Sequence, residues 1–375
     1  MDSERRPRLT PAIADVRRAV RDGLSALTPT RAGASAARSS QTPVPVTPGT
    51  GPDASAASPE PPVPASDASL VLVALSGGPD SLALAAATAF EAPRAGLRAG
   101  AVIVDHGLQA GSGDVAASAA AQARSLGLDP VLVWTVTVGD SSTGGGPEAA
   151  ARTARYTALA DAAAETGAAH VLLGHTLDDQ AETVLLGLAR GSGAGSMRGM
   201  EHSNGLYLRP LLGLRRASTV QFCVDSGLSP WTDPQNSDRA FTRVRVREVV
   251  LPMLEAELGP GIAEALARTA EQLREDDDAL DHFAEEVAEE LADHAEAGIS
   301  LPVGALASNP PALRQRLIRL AVQSEFHLSL SRAHTLEVAR LVTDWHGQGP
   351  LDLPGIRVER QRGLLLFTSN GTTNE

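Results

Sequence analysis

The sequence predicts an α/β protein, a doubly wound parallel sheet followed by a smaller, mainly helical C-terminal domain. Three observations predict it. From residue 70 to about 174, short apolar runs alternate with alanine- and leucine-rich stretches, the order that parallel βα units require. A glycine turn, Ser76-Gly77-Gly78-Pro79-Asp80-Ser81, stands between the first such run and the first such stretch. Polar clusters then fall at the carboxyl ends of the expected strands, where open parallel sheets bind ligands. At 375 residues and 43% apolar content the chain can fill two cores, although with only 3% aromatic residues alanine, leucine and valine must do the packing.

Taken in order, residues 11–27 carry Ile13, Val16, Val20, Leu24 and Leu27 at helical spacing, which predicts an amphipathic helix within an N-terminal segment 1–27. Residues 28–69 are mostly Pro, Ala, Ser, Thr and Gly, without an aromatic. They cannot bury enough apolar surface to offset their ordering entropy, so a disordered insert is expected. Strands are predicted at 70–75, 100–105, 130–138 and 170–174, with helices at 81–90, 113–127 and 147–167. This first domain is expected to span 70–254. Beyond about 191 the pattern becomes loop, then an arginine-rich segment, then helices of a second domain at 255–375. The acidic stretch 264–297 and the basic stretch 311–324 both read as helical, and 351–368, turning at Pro354-Gly355, reads as a small strand pair.

Composition removes several function classes. One cysteine, Cys223, excludes a disulfide framework and any thiolate-ligated zinc or iron–sulfur site. No apolar run approaches the ~20 residues of a membrane span, so a cytoplasmic protein without a membrane partner is expected. The formal charge of −13 argues against indiscriminate nucleic-acid binding. Any RNA site must be a local basic patch, and because the chain contains no lysine, arginine must build it.

The glycine turn aims backbone N–H groups and a helix N-terminus at one point, the arrangement that favours a phosphate. It is not the Walker loop, which needs a lysine on the terminal phosphates; a loop without one suits departure of pyrophosphate. In Gly174-His175-Thr176-Leu177-Asp178-Asp179-Gln180-Ala181-Glu182, the groups His175, Asp178, Asp179 and Glu182 lie at i, i+3, i+4 and i+7, one face of a helix. Three carboxylates on one face repel unless a cation sits between them, with magnesium or a substrate ammonium the natural candidates. Glu148, Arg152, Arg155 and Tyr156 lie within one helical stretch, and their spacing also fits a solvated i,i+4 ion pair. Asp105-His106, at a strand end, could touch ribose or phosphate or simply form a turn. Arg239, Arg243, Arg245 and Arg247 surround Phe241, a local basic run suited to phosphates and a splayed base.

Six blocks occur in a fixed order: Ser76 to Ser81, Val104-Asp105-His106-Gly107-Leu108, Glu148 to Tyr156, Leu173 to Thr183, Arg209-Pro210-Leu211-Leu212 and Asp233-Pro234-Gln235-Asn236. Together they resemble the tRNA(Ile)-lysidine synthetases of the N-type ATP pyrophosphatase (PP-loop) family. The likeness is strong over 70–254 and weaker beyond. It implies an adenine nucleotide alpha hydrolase-like sheet and an enzyme that joins the side-chain amine of free L-lysine to C2 of the wobble cytidine in a tRNA(Ile) with a CAU anticodon. ATP adenylates the cytosine, pyrophosphate leaves, and lysine displaces AMP.

The resemblance further implies that Ser76, Gly77, Gly78, Pro79, Asp80 and Ser81, with Asp105, His106 and His175, bind ATP. Asp80, Arg152, Asp178, Asp179 and Glu182 would be catalytic, Asp80 and Asp179 would hold Mg2+, and Asp178 and Glu182 would take the lysine. Arg239, Arg243, Arg245 and Arg247 would bind tRNA, and a homodimer is compatible with the compact members of the family. Gln109 departs from the arginine common in that family at its position. The alternatives are another PP-loop ATP pyrophosphatase acting on tRNA or a small substrate, and a catalytically silent nucleotide-binding module. Thiolation would call for paired cysteines, and a silent module predicts loss of the acids or of Arg152, which are present.

Overall fold

A computed structural model of the chain describes residues 9–27, 64–65, 67–107, 111–136, 146–191, 193–233, 238–291, 293–295 and 298–370. The expected disordered insert lies almost wholly outside the described residues, as do Gln109 and Pro234-Gln235-Asn236. The chain divides into two compact units, Met1–Gly191 with Gly199–Arg268, and Ser192–Arg198 with Thr269–Glu375.

The first unit runs α1 (Pro11–Ser25), β1 (Leu70–Ala74), α2 (Pro79–Glu91), β2 (Arg98–Asp105), α3 (Ser112–Ser125), β3 (Val131–Thr135), α4 (Gly146–Thr166), β4 (His170–Leu172) and α5 (Leu177–Arg190). After the short α6 (Ala194–Met197), which clusters with the second unit, come β5 (Ser203–Asn204), β6 (Tyr207–Leu208) and α7 (Arg216–Asp225). The sheet order is β3-β2-β1-β4-β6-β5. All neighbours are parallel except β5 against β6. Chain order therefore reverses between β1 and β4, and the crevice outside their carboxyl ends is the switch point where such sheets take ligands.

Period-two side-chain alternation explains why both faces are covered. Val71 and Val73 of β1 pack with Leu82 and Leu84 of α2, Val16 and Val20 of α1 and Phe222 of α7. Leu70 and Leu72 of the same strand face the other way, on to Leu159, Ala162 and Ala163 of α4. β4 ends at Leu172, two residues before the expected limit. The chain leaves the sheet there because Gly174 passes against the first turn of α2; a Cβ at 174 would lie 3.1 Å from the backbone of Asp80 and Ser81.

Beyond α7, the helix that begins as α8 (Thr242–Arg245) passes through a π-helical turn, Val246–Val250, into α9 (Leu251–Leu258). Pro252 lies in the first turn of α9 and has no N–H for a carbonyl four residues back, which accounts for the widened turn ahead of it. Val246, Leu251 and Ala263 pack on Leu177 and Ala181 of α5. That cluster packs 246–263 with α5 inside the first unit, which extends to Arg268.

The long α10 (Ile262–Leu291) ends six residues before the limit of the acidic stretch expected to be helical, and β7 (Asp293–Ala295) follows. The second unit continues with β8 (Gly298–Pro302), α11 (Val303–Ser308), α12 (Pro311–Phe326), α13 (Arg332–Thr343), β9 (Leu351–Leu353), β10 (Ile356–Gln361) and β11 (Leu364–Ser369). The strand pair expected at 351–368 belongs to a five-stranded antiparallel sheet, β7-β8-β11-β10-β9. Its core joins Ile299, Leu301, Val358, Leu365 and Phe367 to Leu317 and Val322 of α12 and Val338 and Val342 of α13. The acids of α10 have partners within this unit, since Arg316 binds Asp277 and Asp281 and Arg198 binds Asp277. Arg314 donates to the carbonyls of Leu306 and Asn309, so 311–324 is less free a basic face than its composition suggests. No helix among the described residues is long and apolar enough to cross a membrane.

Candidate active site

Gly77 makes the turn out of β1 with φ +84°, a conformation that an L side chain rarely adopts. Gly78 is the N-cap of α2 and Pro79 opens its first turn, where the missing proline N–H costs nothing. The two serines close the loop: Ser81 Oγ donates to Gly78 O at 3.0 Å, and the Ser76 and Ser81 hydroxyls meet at 3.0 Å. Trp231 N–H fixes the loop from outside through Gly77 O at 2.9 Å. The loop is thereby shaped by its own side chains and holds the first-turn N–H groups of α2 towards the cleft.

That cleft, of about 770 Å³, is lined by Ser76, Gly78, Pro79, Asp80, Ser81, Asp105, His106, Arg152, His175, Asp179, Arg243 and Arg247 among others. Most residues singled out in the sequence thus converge at the β1/β4 switch point. Asp105 also accepts the Gly107 N–H at 2.9 Å, so it is both a turn former and a cleft carboxylate. Since Gly174 meets the loop backbone so closely, Gly174→Ala is expected to shift the loop by a few tenths of an ångström and to raise the KM for ATP about tenfold at nearly unchanged Tm; nucleotide titration checks this.

The acids of α5 are organised differently from the expectation. Asp179 is the N3 residue of a capping box: its Oδ2 accepts from Thr176 N at 2.9 Å and from Thr176 Oγ1 at 2.8 Å. Its Oδ1 accepts from Arg216 at 2.7 Å and from Arg247 at 3.4 Å. Asp178 turns to the start of α7, taking the Arg216 backbone N–H at 2.7 Å and pairing with Arg215 at 3.2 Å. Glu182, with no side-chain exposure, is held by Arg243 at 2.9 Å, Arg247 at 2.7 Å and Arg216 at 3.4 Å. The carboxylates do face cations, but the cations are arginines of the same chain. Neither Asp178 nor Glu182 lines the cleft, which goes against their expected lysine-binding role.

The expected outward basic run is corrected in the same way. Arg243 and Arg247, one helical turn apart, point in at Glu182. Arg245 donates to the carbonyls of Arg239 and Ala240, both at 2.8 Å, and Arg239 pairs with Glu248 at 3.1 Å. Only Arg239 and Arg245, beside the part-exposed Phe241, remain on the surface.

Sequence reasoning gave no role to two residues: Arg155, which it named only within the helical stretch of Arg152, and Arg216, which it did not name. Arg155 lines the cleft with a buried Nε that has no hydrogen-bond partner, and burial pushes its pKa down. Arg152 is exposed, with its guanidinium 5.0 Å over the Tyr156 ring. Tyr156 is itself anchored, edge-to-face against Tyr207 at 4.9 Å. Arg216, the second, spans Asp80 at 3.1 Å, Asp179 and Glu182. A signal existed for it: Arg215 and Arg216 open a helix, where cations oppose the macrodipole, and such a local misfit points to acids elsewhere in the fold.

Burial acts differently on the two carboxylates that share Arg216. It pushes Asp80 above the usual carboxylate range in spite of Arg216 and the Thr219 hydroxyl. For Asp179 burial is outweighed by Arg216 and the Thr176 N–H, and the carboxyl stays below that range. His175 is depressed to about 3, chiefly by burial, against the pull of Asp179 and with help from Arg155; its Nδ1 is buried without a partner. The folded protein therefore holds His175 neutral while the unfolded chain protonates it below its ordinary value of 6.5. This contribution to stability is complete above pH 6.5 and is lost as pH falls towards 3, with about 2 kcal/mol already lost at pH 5. In His175→Gln, the fall in Tm between pH 7 and pH 5 should shrink by roughly 4–8 °C, as calorimetry would read.

Comparison with known proteins gives the site a context. Residues 55–254 match the PP-loop domain family and residues 301–366 match the TilS substrate binding domain. A tRNA(Ile)-lysidine synthase of Leifsonia xyli subsp. xyli is 67% identical over 300 residues, covering 80% of this chain and 90% of the relative. The chain belongs to the tRNA(Ile)-lysidine synthase family. Members from Thermobifida fusca, 55% identical over 303 residues, and Streptomyces coelicolor, 51% identical over 314, cover 80% and 81% of this chain and 92% and 86% of their own lengths. Among solved structures, the U34-tRNA thiolase NcsA from Methanococcus maripaludis with its [4Fe-4S] cluster superposes with a TM-score of 0.51 at 18% identity, over 70% of this chain and 79% of that one. That likeness bears on the fold alone. For a lysidine synthase, the cleft at the β1/β4 switch is the site that the PP-loop match covers.

Proposed function

We propose that this protein is an AMP-forming, carbon–nitrogen ligase that attaches free L-lysine to C2 of the wobble cytidine in tRNA(Ile) with a CAU anticodon. The observation that carries it is the convergence of a lysine-free glycine loop with His175, Asp179 and Arg155 in one cleft of a chain from this family. In the first step the cytosine O2 attacks the α-phosphate of ATP and pyrophosphate leaves. In the second the lysine ε-amine, after losing a proton, attacks C2, and the oxygen departs with AMP.

The residues divide the work as follows. The N–H groups of 77–81 and the dipole of α2 receive the leaving phosphates, with Asp105, His106 and the neutral His175 completing the nucleotide site. Arg155 offers a desolvated guanidinium to charge developing at the transferred phosphoryl group, with Arg152 behind it at the rim. Asp80 and Asp179 converge on one cation, and two carboxylates together with substrate phosphates suit Mg2+. When bound, Mg2+ would neutralise charge on the departing pyrophosphate. Asp105, the cleft carboxylate not assigned to the metal, receives the lysine ammonium and takes its proton, while Asp178 and Glu182 act behind the cleft by orienting Arg215, Arg216, Arg243 and Arg247.

Transfer RNA docks through Arg239 and Arg245 beside Phe241 and through the second unit, which carries the matched substrate binding domain. Arg239→Gln is expected to reduce the salt slope of tRNA affinity by about one; an unchanged slope would remove Arg239 from the interface. The reaction draws on ATP and tRNA, which supports a cytoplasmic location, and cell fractionation tests this. A homodimer, with the exposed Val220 and Val224 of α7 as the face to disrupt, is tested by light scattering.

The deciding assay supplies tRNA(Ile) transcript, ATP, Mg2+ and labelled lysine. Label in the tRNA with matched release of AMP supports the proposal; release of ADP and orthophosphate, or incorporation of another amine in preference to lysine, would sink it.

A further inference from the structure

One guanidinium, that of Arg216, sits among three carboxylates. Its Nε meets Asp80 at 3.1 Å, Nη2 meets Asp179 at 2.7 Å and Nη1 meets Glu182 at 3.4 Å. Its backbone N–H is held by Asp178 at 2.7 Å, and Thr219, on the same helix, donates to the other oxygen of Asp80. Among the described residues no group of three or more His, Cys, Asp or Glu is arranged to hold a metal ion, and around Asp80 and Asp179 the arginine lies between the acids. An arginine fork among carboxylates is released most readily when another anion takes over its donors, and a polyphosphate is well matched to that fork.

We propose that Arg216 is an internal counter-cation that keeps free divalent cations off Asp80 and Asp179, so that the metal enters only together with nucleotide phosphates that draw the guanidinium away. The inference rests on the reading of those two acids as the Mg2+ ligands. It makes α7 a control element: the first residue of the helix decides the order in which metal and nucleotide join the site. It also gives the charge misfit at the start of α7 a purpose, because a cation that opposes its own helix dipole is more readily surrendered to a phosphate.

The test uses Mn2+ alone, followed by electron paramagnetic resonance on the full-length protein, with and without ATP and in the absence of tRNA. Wild type is expected to bind Mn2+ weakly without ATP and much more tightly with it. Arg216→Gln should bind Mn2+ without ATP at least about tenfold more tightly than wild type, because one positive charge within contact distance has been removed. Equal affinity in the two proteins, or micromolar Mn2+ binding by wild type without nucleotide, would overturn the inference. If circular dichroism finds Arg216→Gln unfolded, Arg216→Lys replaces it. A single ammonium cannot bridge all three acids, so a tightening of about threefold or more is expected, and no change again overturns it. Failure of lysine incorporation with this Mn2+ pattern intact would remove the proposed reaction and leave the counter-cation, and the converse result would do the opposite.

Discussion

Arg155→Ala is expected to lower kcat for AMP and pyrophosphate formation by about 10²–10³-fold with little change in Tm, the loss seen when one preorganised donor is removed from a developing anion. The physical case is desolvation. Arg155 holds a buried Nε without a partner in the wall of the cleft, so its interaction with a transferred phosphoryl group is screened less than that of a surface guanidinium. Arg152 lies one turn earlier, is exposed, and rests on Tyr156, so Arg152→Ala should cost about tenfold or less. Paired single-turnover measurements on the two variants decide between them. A larger loss at Arg152 than at Arg155 would return the role to the residue that the family resemblance first indicated.

Glu182→Ala should unfold the site as well as silence it. The Glu182 carboxylate is wholly buried and neutralises Arg243, Arg247 and Arg216. Removing it leaves three guanidiniums, each about a quarter exposed or less buried still, with one shared partner fewer. Breaking a buried pair costs about 3–5 kcal/mol, and because these arginines keep some solvent the lower end is expected, a Tm drop of about 10 °C. Glu182→Gln, which keeps the shape and loses the charge, should fall between the variant and wild type. An unchanged Tm in Glu182→Ala would mean that Arg243 and Arg247 turn to water at no cost and are free to serve as an RNA surface after all.

Much of the first unit was legible because its determinants are local. Val71 and Val73 against Leu70 and Leu72 announce a strand buried on both faces, and Ser76 to Ser81 needs only its own glycines, proline and serines to make the loop. The capping box of Thr176 and Asp179 is also confined to one turn, although spacing alone marked Asp179 only as one acid on the helix face. The second unit was less legible. β7 and β8 are short and follow an acidic helix without a strong break, and β11, which joins β8 to the rest of the sheet, lies some sixty residues downstream, so the antiparallel sheet could not be assembled from any one window.

The charged residues of the site separate the two kinds of information. Spacing placed Asp178, Asp179 and Glu182 on one side of a helix and left Arg243 and Arg247 in a local basic run, which the structure turns into one side of a second helix. What no local pattern states is which side of the second helix meets the first. Arg243 finds Glu182 across 61 positions and Arg216 finds Asp80 across 136; the first pairing depends on the packing of Val246 and Leu251 against Leu177 and Ala181, the second on that of Phe222 with Leu82 and Leu84. By itself, then, the amino-acid order determined the parallel sheet, the phosphate-binding turn and the inventory of acids and arginines, since backbone conformation and helical spacing are short-range. Only the tertiary structure decided which arginines neutralise those acids and which one lines the cleft with an unpartnered Nε, because charge pairing is set by distances that side-chain packing imposes between remote segments.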